Sequence, residues 1–541
     1  MHLASVAWQS AFINTWGSQG SSSADIQRMF LDEVANFLKL KFQADGDSDP
    51  ILRDYFGDAT DPQRVESSRI RLYSELPRLI EHAVGVVGLL HDLGHPPFSH
   101  LLEEPYEEFS KILIRPEISE EFEAYKDGID GQHGQFHEFA GKLILEQLKL
   151  DKGVFKSVSI TLVDAIFSAR SGGGWATCLH ELIDGQMDVD RLDYIRRDSL
   201  RAGTEYHSID VDRLIDSTEL HRRADQTWAI GIGARGLSAV ESLLLQRAQS
   251  YRWVIHNSRA IISDACLQRA FSLALSEAES KDASLCPEMA SRPDLDYVSN
   301  WKADGSKIAD SYYVDDSTVT NWLRSSRRGV NRVKGPRADQ FEAYMAVADE
   351  SSTNYRSAWR TYGELHVAID RYLHSGTPES LALQGAITSK DENDEKKLGF
   401  SSGAEGATEV SNGTSVELFN QLVHRYFRAL NRSSRALENS LNSSLPAVDG
   451  KHGVWVVSYV YSLKAYNKEK TKLWIGDIEY YLEELSPIPA ALIAAEKLRP
   501  VVWPYFVTFS DEMPTRSAVA NAFIGHVVEL YKLIEKPTER S

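Results

Sequence analysis

The chain has 541 residues, 42% of them hydrophobic, which is enough for roughly two to four folded domains with a substantial core. Acidic residues outnumber basic ones by 78 to 59, and the net charge of -19 argues against a broad, nonspecific grip on nucleic acid or an anionic membrane. The chain has three cysteines, Cys178, Cys266 and Cys286, without CxxC spacing. This number and spacing argue against a disulfide framework or a thiolate zinc site and indicate a reducing compartment.

Helical periodicity dominates the N-terminal half. The first residues, "MHLASVAWQSAFINTWG", lack the basic region of a signal peptide, and no apolar run approaches the roughly twenty residues that span a bilayer, so we expect a cytoplasmic protein. Apolar residues recur at spacings of three and four in "IQRMFLDEVANFLKLKF", "YSELPRLIEHAVGVVGLL", "FAGKLILEQLKL", "VESLLLQRAQSYRWVI" and "AIISDACLQRAFSLAL". These segments predict a helical domain over residues 1–300, with an insertion at about 17–75.

The C-terminal part has a different pattern. We expect a mostly helical extension over residues 301–387 and a flexible linker over 388–415, which is rich in charge, Gly and Ser. Beyond it, "LFNQLVHRYFRALNRSSRAL" is typical of helix, whereas "GVWVVSYVYSL", "KLWIGDI" and "PVVWPYFVTFS" are rich in β-branched and aromatic residues and predict strands. The predicted fold class is mainly α, with an α+β C-terminal region over 416–541.

One short segment, "LLHDLGHPPFSH" (89–100), concentrates three histidines and an aspartate directly after an apolar helix. A polar loop after a buried helix is the simpler interpretation. However, burying the imidazole of His91 beside the carboxylate of Asp92 is costly unless a partner such as a metal ion satisfies them. Gly94 and the two prolines then end the helix. The segment therefore favours a rigid, preorganised metal site.

A second polar cluster lies about a hundred residues later, in "LIDGQMDVDRLDYIRRDSLRAG". Asp190, Tyr194, Arg197 and Asp198 recur at helical spacings and so share one helix face. A solvated, salt-bridged surface would explain this face equally well if the segment stood alone. With the upstream turn, Asp190 becomes a candidate further metal ligand and Arg191 a candidate phosphate contact.

Four ordered blocks together resemble the HD-domain deoxynucleoside triphosphate triphosphohydrolases, the dGTPase-like enzymes: "HDLGHPPFSH", "FHEFAGKLIL", "MDVDRLDYIRRDSLRAG" and "GLSAVESLLLQRAQSYRWVIH". The resemblance covers residues 80–275, about two fifths of the chain. It implies a helical HD-domain phosphohydrolase core. It also implies hydrolysis of deoxynucleoside triphosphates at the α-phosphate, which releases a deoxynucleoside and inorganic triphosphate.

The resemblance also assigns roles to individual residues. It implies that His91, Asp92 and Asp190 bind a divalent ion, with Mn²⁺ or Mg²⁺ favoured and Fe, Ni or Zn as alternatives. Residues that it implies as proton donors on the phosphate and leaving-group side are His95, His100 and His137. Residues that it implies as substrate contacts are Arg191 and Arg247 at the phosphates and Tyr194 and Asp198 near the sugar.

The sequence departs from the family pattern at the first metal ligand, a histidine in an "RxxHS" block. His2 falls about seven residues beyond the expected place, roughly 10 Å along a helix, and His82 faces the opposite side of its helix from His91. Two explanations stay open: the reading frame begins upstream, or three protein ligands, water and a partner chain suffice. The tyrosine and histidine in "SYRWVIHNSR" match only approximately, so neither base preference nor exclusion of ribose is predicted.

The segment "GIGARG" (231–236) satisfies the GxGxxG pattern between a predicted strand and a helix. A dinucleotide-binding unit would supply a second strand about twenty residues later, where this chain is predicted to stay helical. We therefore interpret the segment as a turn.

Three functional classes follow, and the first is favoured. It is a metal-dependent triphosphohydrolase that uses deoxynucleoside triphosphates as substrate and as activator, assembles into a homo-oligomer and lowers nucleotide pools, for example in antiviral defence. The second is an HD nuclease or another nucleotide phosphohydrolase, against which the acidic charge weighs where nucleic acid is the substrate. The third is a catalytically weakened nucleotide sensor or scaffold, motivated by the departure at the first ligand.

Overall fold

A computed structural model describes the following residues: 2–17, 22–45, 49–56, 62–109, 120–125, 136–150, 159–169, 172–185, 188–203, 209–279, 315–327, 333, 337–349, 353–378, 380–381, 419, 423, 438, 442, 454–460, 471–497, 502–508 and 514–535. Helices predominate among them, and short strands are concentrated in the C-terminal part, so the predicted fold class is confirmed. None of the helices in these ranges combines the length and apolarity that crossing a bilayer requires.

The chain divides into two compact units, each assembled from three stretches of sequence. The first unit comprises Met1–Ile255, Ala278–Trp322 and Ala465–Ala491. The second comprises His256–Glu277, Leu323–Lys464 and Leu492–Ser541. The sequence predicts that residues 465–491 belong to the C-terminal region, but in the structure they belong to the first unit. The proposed linker over 388–415 lies outside the described residues.

Helices form most of the first unit. They are α1 (His2–Ile13), α2 (Ser23–Asp45), α3 (Pro50–Phe56), α4 (Pro62–Leu90), α5 (His100–Glu108), α6 (Phe136–Leu150), α7 (Ile160–Phe167), α8 (Trp175–His180), α9 (Val189–Arg201), α10 (Val211–Asp216) and α11 (Leu237–Ser250). A turn of π-helix, Tyr251–Ile255, follows α11. Each of the predicted N-terminal helical segments that belongs to this unit is helical.

One face of α4 is buried in the core of this unit. Its buried residues, from Leu76 to Val87, recur at spacings of three and four, so one face of the helix packs against α1, α2 and α7. Trp8 of α1 stacks near Phe30 of α2 and donates a hydrogen bond of 3.1 Å to the carbonyl of Pro77 in α4. These contacts fix the middle of α4, and its buried face continues to Val87, shortly before the histidine-rich turn.

A five-stranded sheet completes the first unit. Its strands are β1 (Thr15–Gly17), β2 (Thr218–Arg222), β3 (Trp228–Gly233), β6 (Lys472–Ile475) and β7 (Ile478–Tyr481), in the order β1-β2-β3-β6-β7. The β1–β2 and β3–β6 pairs are parallel, whereas β2–β3 and β6–β7 are antiparallel. The predicted strands "TWAIGI" and "KLWIGDI" are both present.

The second unit combines helices with a three-stranded antiparallel sheet. The strands are β4 (Tyr355–Ser357), β5 (Val454–Val460) and β8 (Val502–Thr508), with β8 in the centre. The helices that lie wholly or partly in it are α12 (Ser258–Glu279), α13 (Asp316–Ser326), α14 (Arg337–Ala348), α15 (Tyr362–Leu373), α17 (Ile488–Lys497) and α18 (Arg516–Glu535); α16 (Leu482–Leu485) belongs to the first unit. Trp359 forms edge-on contacts with Trp503 and Phe523 in its core.

Among the C-terminal predictions, the strands in "GVWVVSYVYSL" and "PVVWPYFVTFS" are confirmed. The helix predicted for "LFNQLVHRYFRALNRSSRAL" falls almost entirely outside the described residues, since only 419 and 423 are placed.

Candidate metal centre

The histidine-rich turn continues directly from the buried face of α4. The backbone N–H of His91 still donates to the carbonyl of Val87 (2.9 Å), so the ring of His91 leaves the helix one turn beyond a fully buried valine. Hydrogen bonds from His95 N to Asp92 O (3.1 Å) and from Ser99 N to Pro96 O (2.9 Å) then close successive tight turns. The turn is therefore fixed by its own backbone as well as by the core behind it.

His91, Asp92 and Asp190 converge, as the sequence predicts. Nε2 of His91 lies 3.2 Å from Oδ2 of Asp92 and 3.6 Å from Oδ1 of Asp190. One ligand atom from each residue falls within 4.8 Å of the others. Asp190 reaches this position because it lies in the first turn of α9, whose N-terminus is capped by Asp188.

The orientation of His91 fits a metal ligand. Its Nδ1 lies 3.2 Å from the carbonyl oxygen of Gly88 and donates to it, so Nε2 is the nitrogen that would ligate an ion once the ion displaces its proton. Nε2 is shielded from solvent and has no well-directed hydrogen bond among the described groups, yet it faces two carboxylates. Neighbouring donors on an ion at about 2.1 Å lie about 3 Å apart, close to the spacing seen here.

The electrostatics of these three residues favour a cation. Burial lowers the pKa of His91, but Asp190 and Asp92 outweigh this effect and raise the pKa to about 10. Burial likewise tends to raise the pKa of Asp92, yet its contacts with His91 and His95 hold that pKa well below the usual range. The same negative potential that retains a proton at Nε2 attracts a divalent ion.

A second group of side chains, the imidazole cluster, consists of His95, His100, Glu103 and His137. Oε1 of Glu103 lies 3.2 Å from Nδ1 of His95 and accepts a short hydrogen bond from Nδ1 of His137, while its Oε2 lies 3.1 Å from Nδ1 of His100. The rings of His95 and His137 stack with their centroids 4.1 Å apart. Ligand atoms of all four residues lie within 4.8 Å of one another, so this group can also hold an ion.

The two groups are connected through Asp92. Its Oδ1 lies 3.3 Å from Nε2 of His95, while its Oδ2 faces His91. Burial lowers the pKa of His95, but Asp92 and Glu103 outweigh burial and raise the pKa to about 9. Burial would raise the pKa of Glu103, whereas hydrogen bonds from the three histidines hold it well below the usual range. A continuous chain of acid–base groups thus begins at the candidate metal ligands.

Glu103 is a candidate functional residue that the sequence analysis missed. It lies one turn after His100 in α5, so the i, i+3 spacing in "HLLEEP" was the available signal. The sequence also does not reveal the role of Gly94. A Cβ at this position would lie 2.0 Å from the carbonyl oxygen of His137 and 2.3 Å from the backbone nitrogen of Gly141. Glycine therefore allows the turn to approach α6 closely enough for His95 to meet His137.

The predicted phosphate and sugar contacts on α9 occupy different surroundings. Nη1 of Arg191 donates to the carbonyl of Gly185 and lies 3.2 Å from Oδ2 of Asp188, so this guanidinium already has an acidic partner. Asp198 is paired with the neighbouring Arg197 at 3.3 Å, on a more exposed part of the helix. Burial raises the pKa of Tyr194 above its ordinary range, and Tyr251 adds to the shift.

Arg247 on α11 is buried and close to Tyr194. Its guanidinium lies 5.7 Å from the ring centroid of Tyr251, and no described group accepts a hydrogen bond from its Nε. Tyr251 begins the π-helical turn, a feature that is rare in helices and common at functional sites. The structure therefore brings Arg247, Tyr194 and Tyr251 together, while Asp198, one turn after Tyr194 on the same helix, pairs with Arg197.

Neither His2 nor His82 joins a group of possible metal ligands among the described residues. The "GIGARG" segment forms the end of β3 and a turn of 3-10 helix. Added Cβ atoms would lie 2.5 Å from the Trp474 side chain at Gly231 and 2.1 Å from the Glu219 carboxylate at Gly233. These two glycines lie in strand β3 and admit neighbouring side chains, whereas the predicted turn is confined to Ala234–Gly236.

Comparison with known proteins gives distant relatives. No protein-family model matches the chain. An uncharacterized protein of Methanocaldococcus jannaschii is 29% identical over 214 residues, which are 40% of this chain and 38% of that protein. The uncharacterized protein YwfO of Bacillus subtilis is 28% identical over 190 residues, 34% of this chain and 36% of its own length. The matches thus span about two fifths of these relatives.

Two solved structures are also similar. A phosphohydrolase from Bacteroides thetaiotaomicron is 16% identical, with a TM-score of 0.42 and 80% of each chain covered. A hypothetical protein from Aquifex aeolicus is 18% identical, with a TM-score of 0.37 and coverage of 79% of this chain and 77% of that one.

Proposed function

We propose that the protein is a metal-dependent phosphohydrolase that converts deoxynucleoside triphosphates to deoxynucleosides and inorganic triphosphate. The observation that carries the proposal is the convergence of His91, Asp92 and Asp190, in which Nε2 of His91 faces both carboxylates. The imidazole cluster adjoins this set through Asp92. Together they supply what hydrolysis of a phosphate ester needs: a cation site and proton-transferring groups.

The three ligands would hold one divalent ion, and open coordination positions would take water and phosphate oxygens. A bound ion acidifies its water and offsets negative charge on the triphosphate. In the overall reaction a water oxygen bonds to the α-phosphorus and the bond from that phosphorus to the 5′-oxygen breaks. The 5′-oxygen then needs one proton, which an imidazole can donate.

His137 and His95 are suited to this proton transfer. Both rings contact Glu103, whose carboxylate orients them. At His95, where burial lowers the pKa, Asp92 and Glu103 outweigh burial and favour the protonated form. His100 belongs to the same cluster but is largely exposed, with 63% of its side chain accessible. We assign the proton donation to His137 and His95, and a role at the outer side of the cluster to His100.

Substrate contacts would come from α9 and α11. Arg247 has an unpaired guanidinium nitrogen and is held beside two tyrosines, which suits a phosphate contact. Arg191 would contact phosphate only if its guanidinium leaves Asp188. Tyr194 and Asp198 are retained as proposed sugar contacts. We further propose a homo-oligomer in which deoxynucleoside triphosphates also act as activators.

Product analysis tests the reaction. The protein is incubated with each deoxynucleoside triphosphate, alone and in mixtures, with Mn²⁺ or Mg²⁺. Equal amounts of deoxynucleoside and intact triphosphate are expected. Monophosphate and pyrophosphate would indicate a pyrophosphohydrolase, shortening of a polynucleotide would indicate a nuclease, and binding without turnover would indicate a sensor. Absence of triphosphate release from every mixture would refute the proposed reaction.

Glu103→Gln tests the imidazole cluster. Because the amide cannot stabilise protonated imidazoles as a carboxylate does, we expect kcat to fall by about 10² to 10⁴-fold. Metal content should be unchanged, since His91, Asp92 and Asp190 are intact. Glu104→Gln, on the next residue of α5, is the matched control and should keep normal turnover. If Glu103→Gln instead loses one ion per chain, the cluster is itself a metal site and its acid–base assignment is wrong.

A further inference from the structure

The second unit contains a group of three arginines, the arginine cluster, which no part of the proposed reaction uses. Arg356 is the middle residue of β4, Arg360 follows shortly after, and Arg516 is the first residue of α18. β4 packs against α18, so residues far apart in the sequence are brought together. Burial lowers the pKa of Arg516, and the nearby charges of Arg360 and Arg356 lower it further.

Three guanidinium nitrogens of the cluster lack hydrogen-bond acceptors among the described residues. Nε and Nη1 of Arg516 and Nε of Arg356 are shielded from solvent, and none of these three nitrogens has an acceptor there. Glu364 is the carboxylate whose charge reaches Arg516, but its Oε2 already accepts a hydrogen bond of 2.6 Å from the backbone N–H of Arg360. Shielded donors without acceptors are rare in folded proteins, because leaving them unpaired is costly.

The start of α18 adds to the positive potential. This helix has 20 residues, and its dipole places a partial positive charge near Arg516. Thr515 satisfies two amides of the first turn, through its hydroxyl to Ala518 N (3.3 Å) and its carbonyl to Val519 N (3.1 Å). It carries no charge, however, so the negative charge that opposes Arg356, Arg360 and Arg516 comes from Glu364. Three like charges and a helix N-terminus thus converge in a chain whose net charge is -19.

We propose that the arginine cluster of the second unit binds a small phosphate-bearing anion. Guanidinium forks match the tetrahedral arrangement of phosphate oxygens, and a charge of −2 or more balances several arginines better than a monocarboxylate does. A small anion is favoured over a polyanion such as nucleic acid because the chain as a whole is acidic.

Calorimetric titration of the full-length protein with orthophosphate and with inorganic triphosphate tests the site. The titration is done without added metal in an Asp92→Ala, Arg247→Ala background, which removes the metal-mediated contact and the Arg247 contact with phosphate in the first unit. Triphosphate should bind, and adding Arg516→Ala should weaken it about 10-fold or more, since a charge-assisted bidentate contact is lost. Arg337→Ala is the control, because Arg337 is likewise the first residue of a helix in this unit, although it is exposed whereas Arg516 is partly buried. Equal affinities in the two arginine variants would overturn the proposal.

A second measurement uses the protein without any arginine substitution. Phenylglyoxal modifies accessible guanidiniums, and mass spectrometry reports the rate at each one. Triphosphate should slow the modification of Arg360 at least several-fold and leave Arg337 unaffected. A deoxynucleoside triphosphate is compared at the same concentration, so that stronger protection by it identifies a nucleotide, and equal protection identifies the phosphate chain alone. Absence of protection by any of the phosphates would refute the site, even if Arg516→Ala does not fold.

Discussion

Gly94→Ala should strongly reduce hydrolysis, although the substitution adds only an unreactive methyl group. The added Cβ would lie 2.0 Å from the carbonyl oxygen of His137 and 2.3 Å from the backbone nitrogen of Gly141. Ordinary contact begins at 3.4 Å, so the turn and α6 must separate by about 1.4 Å, the difference between 3.4 and 2.0 Å. Both atoms are backbone, so no side-chain rotation relieves the clash.

This separation acts on both stability and catalysis. Overpacking of this kind costs about 1 to 3 kcal/mol of unfolding free energy. Because the stacked rings of His95 and His137 lie on opposite sides of the clash, the shift also opens the imidazole cluster. A misplacement of about 1 Å lowers turnover about 10²-fold, so we expect a loss of at least that size.

Urea unfolding and triphosphate release measure the two effects. Gly363→Ala is the control, because its added methyl group would meet only the Thr361 hydroxyl oxygen, at 3.7 Å. This control should keep wild-type activity and stability, or gain slightly in stability as a helix residue. Gly94→Ala protein with wild-type stability and turnover would show that the turn does not approach α6 as described.

Three further predictions concern the metal, the substrate and pH. Asp92→Ala should lose both bound metal and hydrolysis while circular dichroism stays helical; unchanged metal stoichiometry would contradict the ligand set. Arg247→Ala should weaken nucleotide binding or turnover at unchanged metal content, because a guanidinium cannot ligate an ion; normal kinetics would contradict its placement. Burial lowers the pKa of His526 from 6.5 to about 4. As the pH falls below 6.5, the unfolded chain therefore takes up a proton that the folded chain does not. Up to about 3 kcal/mol of unfolding free energy is lost by the time the pH reaches 4. Replacing His526 with Leu should flatten this pH dependence of urea unfolding, whereas His374→Leu, at an exposed site, should leave it unchanged.

Local patterns predicted the elements that carry the site. The apolar spacing in α4 and the Gly and Pro residues after it define a helix followed by a rigid turn, since both depend on neighbours within a few residues. The helical spacing after Asp188 likewise places Asp190 in the first turn of α9. The meeting of Asp190 with His91 was inferred from family resemblance, because no local rule joins segments a hundred residues apart.

Long-range packing accounts for what was not predicted. The approach of α6 to the turn depends on a missing side chain at Gly94, and a single sequence does not show which glycine is required for contact. The pairing of β6 with β3 adds a C-terminal hairpin to the sheet of the first unit. Strand composition reveals that a segment is extended, but the choice of partner depends on the whole fold. Because each unit combines separate stretches of the chain, domains predicted as continuous ranges cannot describe them.

The net charge of the chain likewise does not predict where charged residues cluster in the fold. A net charge of -19 correctly describes the average potential of the chain, and it argues against a broad surface for polyanions. Averages carry no information about which few residues the fold brings together. Arg356 and Arg516 are separated by a long stretch of sequence. Strand β4 nevertheless packs against helix α18, so the charge of Arg356 acts on Arg516. An acidic chain can therefore contain a strongly cationic site, and only the tertiary structure reveals it.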